Sequence, residues 1–479
     1  MSLLSVDFLL FFLIIVIIYY VVSQKYRWVI LLISSYYFYI SWKPENIIFI
    51  TLSTLVSYFI AIIISKSAFN RKKYLAVGVS FNLILLIGLK YFNFFSNSFR
   101  NFFQLFTIKF DSVFLNIVAV LGISFFTFKA ISYLVDVYTK KYEPEKNIGK
   151  FALYISFFPQ LMAGPIERAD RFFNQLKKQK QNIQINIIKG LKIMLWGFLL
   201  KLVIADRLAI TVNQIYNNID NYQGSPLILG TYFFAFQIYC DFAGYSYIAI
   251  GAAKILGLDL MNNFLRPYLS KSIPEFWKRW HISLSSWFRD YLYIPLGGNR
   301  VKVGRWTLNI IIVFLVSGLW HGASWTFVIW GFIHGIYMII HKLISKFKMK
   351  IIKNENNEIK NSFLKLLRIF ITFHLILLAW IFFRANSVGD SIYIIKNIFV
   401  NITSTFQDIF LIIPRESILL IGALLFLVFI FQVIQERKGV INLLNKTPIL
   451  FRWSLYIAII FIILLFGQFA KNPFIYQQF

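Results

Sequence analysis

The chain contains few histidines, and two of them lie in a window that is rich in tryptophan. Histidine exchanges a proton near neutral pH, so it is the usual general base for removing the proton of a hydroxyl group. Seven of the twelve tryptophans fall between Trp277 and Trp330. This window is therefore the candidate region for chemistry on a hydroxyl group. The five histidines are His281, His321, His334, His341 and His374.

His321 is the strongest candidate for a catalytic residue. It ends an apolar run and lies in Ser317-Gly-Leu-Trp-His-Gly-Ala-Ser-Trp325, where small residues allow close backbone approach and leave room for a substrate. The alternative is a packing role through one interhelical hydrogen bond, worth only about 1 kcal/mol. An imidazole inside a bilayer is costly without a partner or a function, which favours catalysis.

The other histidines give weaker signals. His281 lies in Phe276–Ser283, a basic and aromatic stretch, and its residue pattern fits a catalytic group and an ordinary interfacial helix equally well. For the remaining three histidines we expect structural roles. No histidine or cysteine cluster has the spacing of metal ligands, so we expect no metal site.

Several carboxylates lie in apolar surroundings and need partners. Asp241 interrupts the apolar run Tyr232–Ile250, so it must face a cavity or be bonded internally. Glu167 and Asp290 are each expected to position an arginine or to hold a helix end. The single cysteine, Cys240, excludes an intrachain disulfide and is expected to be a buried packing residue.

The composition places these residues in a membrane protein. Hydrophobic residues make up 58% of the chain and charged residues 14%, whereas soluble domains have about 45–50% and about 25%. The bias extends over the whole length, which predicts one membrane domain over residues 1–479. No appended soluble enzyme is expected.

The net charge of +29 raises the question of nucleic-acid binding. The basic residues lie between apolar runs rather than on one face, so we expect no nucleic-acid partner. Short basic loops are typical of the cytoplasmic side of membrane proteins, and they attract anionic lipids. The positive charge therefore indicates which loops face the cytoplasm, and it predicts membrane lipids as partners.

The apolar runs predict an all-α polytopic protein with about 10–12 transmembrane helices, plus re-entrant or interfacial segments. The first run lacks the basic flank and cleavage site of a signal peptide, so it is expected to be a retained helix. The predicted runs are Phe8–Val22, Trp28–Trp42, Ile47–Ser65, Tyr74–Tyr91, Val113–Val137, Ile187–Ile204, Thr231–Leu256, Leu308–Trp320, Phe327–Ile340, Ile369–Phe383, Ile418–Val433 and Trp453–Phe469.

Loop charge predicts the orientation of these runs. The basic stretches place the N-terminus outside, Gln435–Lys446 inside and the tail Lys471–Phe479 outside. The number of membrane crossings agrees with this orientation only if Phe151–Ile166 and Arg266–Arg305 do not cross the membrane. The first of these contains two prolines and a glycine, so within the membrane its backbone must be buried in protein or line a wet cavity. An ordinary interfacial loop fits this segment equally well. The basic stretches are Lys66–Lys73, Lys140–Lys150, Arg168–Lys180 and Lys342–Arg368.

Five blocks of the sequence resemble the membrane-bound O-acyltransferase family, and within it the bacterial alginate and peptidoglycan O-acetyltransferase branch. The resemblance covers the chain from about Phe151 onward, whereas the first helices match in character only. The blocks are Ser156–Arg168, Gln237–Ser246, Asn263–Arg300, Gly318–Gly335 and Ala379–Ala385.

The resemblance implies a central tunnel in which His321 is catalytic and His281 occupies a second polar position. It divides the chain into N-terminal helices (1–140), a catalytic core (151–385) and C-terminal helices with an outward tail (386–479). Expected tunnel residues are Trp280, Trp320, Trp325 and Asp241, whereas Lys278, Arg279 and Arg300 are expected to meet the phosphates of the donor.

The resemblance also implies the reaction. Acyl-CoA, here acetyl-CoA, would be a cytoplasmic donor substrate rather than a permanently bound cofactor. The acceptor would be a hydroxyl on the outer side, finally on an exported or cell-wall polysaccharide, with a partner transferase or esterase outside the membrane. The implied location is the cytoplasmic membrane of a bacterial cell.

The C-terminus resembles an aromatic tyrosine motif of this branch, Phe474-x-Tyr476-x-x-Phe479. Tyr476 is therefore a candidate acyl carrier, since a phenolic ester has a leaving group with a pKa near 10. The alternative is an aromatic anchor at the membrane surface.

A transporter or flippase for polysaccharide or lipid-linked sugar is the competing class of function. Its helix count and intramembrane charges would be similar. Transporters usually have two related halves, and no such repeat is visible here, so the histidine and tryptophan window favours catalysis.

Overall fold

The computed structural model describes residues 1–108, 120–162, 164–178, 183–348, 358–437 and 447–469. Every regular element in these ranges is helical, which confirms the predicted all-α class. Three π-helical turns, Ile87–Tyr91, Leu199–Ala205 and Arg289–Tyr293, interrupt or extend the α-helices.

The described ranges contain these helices: α1 Val6–Val21, α2 Arg27–Ile40, α3 Ile47–Lys66, α4 Arg71–Leu86, α5 Phe92–Gln104, α6 Ile123–Tyr138, α7 Ile148–Ser156, α8 Phe158–Leu161, α9 Ala169–Lys178, α10 Ile183–Phe198, α11 Asp206–Tyr216, α12 Ser225–Ile255, α13 Ile273–Arg279, α14 Ile282–Phe288, α15 Val303–His321, α16 Trp325–Lys348, α17 Glu358–Arg384, α18 Val388–Asn397, α19 Asp408–Ile412, α20 Arg415–Arg437 and α21 Ile449–Phe466.

Seven helices in the described part of the chain are long and apolar enough to cross a membrane. Two shorter apolar helices, Val6–Val21 and Ile418–Val433, accompany them, so the polytopic prediction is confirmed. Part of the predicted run Val113–Val137 lies outside the described residues, and α6 begins at Ile123. The seven spans are Pro44–Lys66, Arg71–Gln104, Ser225–Ile255, Val303–His321, Trp325–Ser345, Ser362–Arg384 and Ile449–Phe466.

Packing divides the chain into two units. The first contains residues 1–194, 246–262 and 289–291, and the second contains the rest of the described chain. In the first unit α3, α4 and α6 pack against one another, and α2 packs against α1 and α7. Asn82 of α4 joins α3 because its side chain bonds the hydroxyls of Ser53 and Ser57 at 2.6 and 3.0 Å.

The proline-glycine break of the first unit is buried in protein, which is one of the alternatives that the sequence leaves open. Pro159 lies in the first turn of the short helix α8, and the backbone N–H of Phe158 donates to the Ser35 hydroxyl at 3.1 Å. The backbone N–H of Gly164 donates to the Gln160 carbonyl at 3.1 Å. These bonds satisfy backbone groups that lipid could not.

The second unit is built around α15 and α16, which are joined by a short turn and pack along their lengths. Gly318 and Gly331 permit this contact. A Cβ on Gly331 would lie 2.2 Å from the carbonyl oxygen of Phe314, and the Cα of Gly318 lies 3.3 Å from that position. The close approach fixes His321, which ends α15. Helix α16 also packs against α13 and α17.

Candidate functional site

His281 lies in a strained turn between α13 and α14. Its φ is +43°, in the left-handed region that side chains other than glycine adopt at a cost. Two backbone bonds of 2.9 Å hold the turn, from Leu265 N–H to Arg279 O and from Ile282 N–H to Asn263 O. The pairing of these segments directs the imidazole inward, where it is fully buried.

Asn263 sets the tautomer of His281. Its Oδ1 lies 3.1 Å from Nδ1 of the imidazole, and it also accepts from the backbone N–H and the hydroxyl of Ser283 at 3.3 and 2.9 Å. Because Oδ1 accepts from the backbone, Nδ1 of His281 carries the proton. Burial lowers the pKa of His281 to about 3, so the ring is neutral and its Nε2 offers a lone pair.

His321 lies at the last position of α15 and is 2% exposed. Its imidazole is surrounded by aromatic rings: the ring centroids of Trp320, Trp330 and Phe383 lie 5.1, 4.9 and 5.3 Å away. The α15–α16 hairpin contributes the two tryptophans and α17 contributes Phe383. The imidazole therefore lies in a buried aromatic cage.

Trp320 contacts both candidate histidines. Its ring lies 5.8 Å from that of His281 and 5.1 Å from that of His321. Trp280 belongs to the same group of rings. It is stacked with Phe276 at 5.5 Å and tilted against Trp380 at 5.1 Å. The structure thus brings together four predicted site residues in one aromatic cluster: His281, His321, Trp280 and Trp320.

Asp241 follows the second of the two predicted alternatives, because it is bonded internally. Its carboxylate forms an ion pair with the buried ammonium of Lys201, which also bonds Asp206 at 2.7 Å. All three side chains are less than 5% exposed. The neighbour of Asp241 in α12, Phe242, contacts the His281 ring edge-on at 4.6 Å. Asp241 is thus next in sequence to a residue that packs on His281.

The remaining predicted site residues lie away from this cluster or outside the described residues. Trp325 begins α16 and is 54% exposed. Lys278 and Arg300 are exposed, whereas Arg279 forms an ion pair with Glu275 at 2.7 Å. Tyr476 and its motif fall outside the residues that the structure describes.

Comparison with known proteins decides the family. The family model described as MBOAT, membrane-bound O-acyltransferase family, matches residues 145–352. The peptidoglycan O-acetyltransferase of Helicobacter pylori is 34% identical over 387 residues, which are 75% of this chain and 71% of that protein. The chain belongs to the membrane-bound O-acyltransferase family.

Two further relatives extend the comparison. The probable alginate O-acetylase AlgI of Pseudomonas aeruginosa is 35% identical over 354 residues, and the match spans 73% of this chain and 65% of that protein. The teichoic acid D-alanyltransferase of Streptococcus thermophilus is 32% identical over 281 residues, 55% of this chain and 68% of that protein. Membership in a family of acyltransferases favours catalysis over the transporter class.

Sequence reasoning missed four side chains of the cluster. Asn263 begins a recognised block but had no assigned role, and Trp330, Trp380 and His334 were given structural roles or none. The spacing Trp330 to His334, one helical turn on α16, is the signal that could have found two of them. Nothing local to Asn263 indicates its partner, which lies 18 residues away.

Proposed function

We propose that this protein transfers an acetyl group from cytoplasmic acetyl-CoA to a hydroxyl on the outer side of the membrane, for O-acetylation of an exported or cell-wall polysaccharide. The observation that supports this most directly is the pair of buried imidazoles, His281 and His321, that share contact with Trp320. A chain of this family with a buried histidine pair has the groups that hydroxyl activation needs.

The relatives favour an acetyl group and a polysaccharide. Two of them are named for O-acetylation, of alginate and of peptidoglycan, and match 73% and 75% of this chain. The D-alanyltransferase matches only 55%. Alginate and peptidoglycan differ in charge and in chain chemistry, so the proposal is limited to a polysaccharide hydroxyl.

In the proposed reaction His321 removes the proton from the acceptor hydroxyl, and the oxygen attacks the thioester carbonyl carbon. A carbon–oxygen bond forms and the carbon–sulfur bond breaks. The proton then passes from the imidazolium to the leaving thiolate, so the base is regenerated. The aromatic cage of His321 keeps water from competing for the acyl group.

His281 has a different task. Because its Nδ1–H faces Asn263, the free lone pair on Nε2 accepts a hydrogen bond and cannot donate one to the thioester carbonyl. The reacting hydroxyl has one proton and gives it to His321, so we assign His281 to accepting a hydrogen bond from a second donor group of the acceptor rather than to polarising the thioester. It is a positioning residue that presents the hydroxyl to His321.

The route of the acyl group beyond the site is also part of the proposal. Tyr476 would accept the acetyl group as a phenolic ester, and an external partner transferase would pass it to the polysaccharide. A phenolate is a better leaving group than an alkoxide, so this ester remains a competent donor.

The exposed cations Lys278 and Arg300 would meet the phosphates of CoA.

The test uses purified protein and acetyl-CoA labelled in the acetyl group. Wild type, His321→Ala and Tyr476→Phe are compared for released CoA and for label on the C-terminal peptide. We expect label on wild type only, and a loss of CoA release of about 10²- to 10⁴-fold in His321→Ala.

Each result has one meaning. CoA release by wild type without label on the peptide would discard the tyrosine carrier and keep the acyltransferase. Full activity of His321→Ala would remove it as the base. No CoA release by wild type, with the acceptor polysaccharide and partner supplied, would overturn acetyl-CoA as the donor.

A further inference from the structure

One face of α16 carries a row of polar aromatic side chains that begins beside His321. Trp330, His334 and Tyr337 are spaced four and three residues apart, so they lie one above the next on the helix. Trp277 of α13 packs against this row, with its ring 5.0 Å from that of His334 and 5.7 Å from that of Trp330. We call these four residues the polar row.

His334 is the centre of the polar row and is fully buried. Its other ring neighbours are Phe276, stacked at 6.3 Å, Phe314 at 6.2 Å and Tyr337 at 5.9 Å. Aromatic faces thus surround the imidazole, and packing alone would be served as well by a phenylalanine. The polar atoms of the residue need another explanation.

The polar row has no hydrogen-bond partners of its own in the described part of the chain. The buried atoms without a partner are Nδ1 and Nε2 of His334, Nε1 of Trp277, Nε1 of Trp330 and Oη of Tyr337. Buried polar groups are nearly always hydrogen-bonded, and each one left unpaired destabilises the fold. Five such atoms on four touching side chains indicate a site for a ligand that brings both donors and acceptors.

The polar row is continuous with the aromatic cage of His321. The Trp330 ring lies 4.9 Å from the ring of His321 and 4.9 Å from the ring of His334, at 88° and 71° to them. The indole of Trp330 therefore lies between the proposed base, His321, and His334. A substrate held along the row would have its reacting end beside His321.

We propose that the polar row binds the amide-bearing arm of the thioester donor, with His334 as the residue that recognises its amide groups. The inference rests on the proposed function and deepens it by assigning a donor-specificity residue. Amide N–H groups would donate to an imidazole nitrogen, whereas amide carbonyls would accept from the indole N–H groups and the Tyr337 hydroxyl.

Two observations favour the donor arm over the sugar acceptor. From Trp330 to Tyr337 the row runs toward the end of α16 that leads into Lys342–Arg368, a stretch whose charge predicts the cytoplasmic side, where the donor is made. The polar atoms are also sparse and lie between aromatic faces. Sparse polar atoms between aromatic faces suit a thin chain with amides between methylene groups, whereas a sugar needs many hydrogen bonds on each ring.

The experiment compares two donors, acetyl-CoA and S-ethyl thioacetate, which has the same thioester and no amide arm. Thiol release by the purified full chain gives kcat/KM for each donor. We expect wild type to prefer acetyl-CoA, and His334→Phe to reduce that preference about 10-fold by losing activity with acetyl-CoA alone. His334→Asn, which keeps a donor and an acceptor, should recover part of the preference.

Tyr337→Phe removes one hydroxyl from the row and provides a second, milder test in case His334→Phe does not fold. Phe332→Leu is the matched control, since Phe332 lies on the same helix and is 44% exposed. An equal loss with both donors in His334→Phe and in Tyr337→Phe would overturn the proposal, because a structural defect acts on both substrates. Wild type that shows no preference for acetyl-CoA would overturn it too. With the acceptor polysaccharide and partner supplied, wild type without thiol release from either donor would overturn the proposed function itself.

Discussion

The Nδ1 of His281 lies 3.1 Å from the Oδ1 of Asn263, and this one contact decides which nitrogen of the imidazole keeps its lone pair. Oδ1 also accepts from the backbone N–H of Ser283, so the amide of Asn263 cannot turn without breaking that bond. The protonation of the His281 imidazole therefore depends on two segments of the chain. One contains Asn263, and the other is the turn before α14.

Asn263→Ala is expected to lower the rate of acyl transfer by roughly 10-fold or more, because His281 loses the acceptor that fixes its tautomer and its ring orientation. Thiol release from acetyl-CoA measures the rate. Ser283→Ala is the control: it removes the hydroxyl bond to Oδ1 at 2.9 Å and leaves the His281 contact. Equal activities of Asn263→Ala and Ser283→Ala would contradict this role for Asn263.

The buried neutral state of His281 predicts a dependence of stability on pH. Its pKa is about 3 in the folded protein and near 6.5 when exposed, so the unfolded chain binds more protons between these values. The free energy of unfolding therefore falls as pH decreases from about 6.5 toward 3.

His281→Asn removes this titration. We expect the drop in melting temperature between pH 7.5 and pH 5 to be smaller for the variant than for wild type, measured in the same detergent. The comparison uses differences within each protein, so a general loss of stability in the variant does not affect it. An unchanged drop would show that the imidazole is not buried as a neutral group.

The contact between α15 and α16 depends on the absence of a side chain at Gly331. Gly331→Ala would place a Cβ 2.2 Å from the Phe314 carbonyl oxygen, so the helices would have to separate and the His321 cage would open. We expect a lower melting temperature and a loss of activity that exceeds the loss of folded protein.

Gly304→Ala is the matched control for this prediction. It lies on α15, and no heavy atom lies within 4 Å of the position of its Cβ. Alanine there should be neutral or slightly stabilising, because alanine favours helix by about 1 kcal/mol over glycine. A Gly331→Ala protein as stable and active as Gly304→Ala would show that the helices tolerate separation.

The ion-pair cluster of Lys201, Asp206 and Asp241 is expected to be sensitive to its central cation. Lys201→Met leaves two buried carboxylates facing each other without an ammonium, a change that typically costs about 3–5 kcal/mol. Melting temperature and yield in detergent measure the loss.

The compensating variant combines Lys201→Met with Asp206→Asn and Asp241→Asn. It removes all the charges together, so we expect it to recover most of the lost stability. If the single variant were as stable as wild type, the three side chains would not carry the charges that the ion pairs require.

Much of the membrane architecture was predictable from the sequence, for a direct physical reason. Apolar runs long enough to span a bilayer must become helices, since lipid cannot satisfy a free backbone. The same argument left burial in protein, a wet cavity or an interfacial loop open for the segment around Pro159 and Gly164, and the structure shows it buried in protein. Residue type and the concentration of tryptophan also indicated His321 as a candidate, whereas the sequence around His281 fitted a catalytic group and an interfacial helix equally well.

The assembly of the site was not predictable from local sequence. Asn263 contacts His281 across a turn, Phe383 of α17 reaches His321 from another helix, and Asp241 is neutralised by Lys201 of a preceding π-helical turn. By itself the sequence determined the membrane class, the helical material and the residues able to do hydroxyl chemistry, because these depend on composition and spacing. Only the tertiary structure decided which nitrogen of His281 is free, which rings enclose His321 and which carboxylate is already paired, because those contacts depend on how distant helices pack.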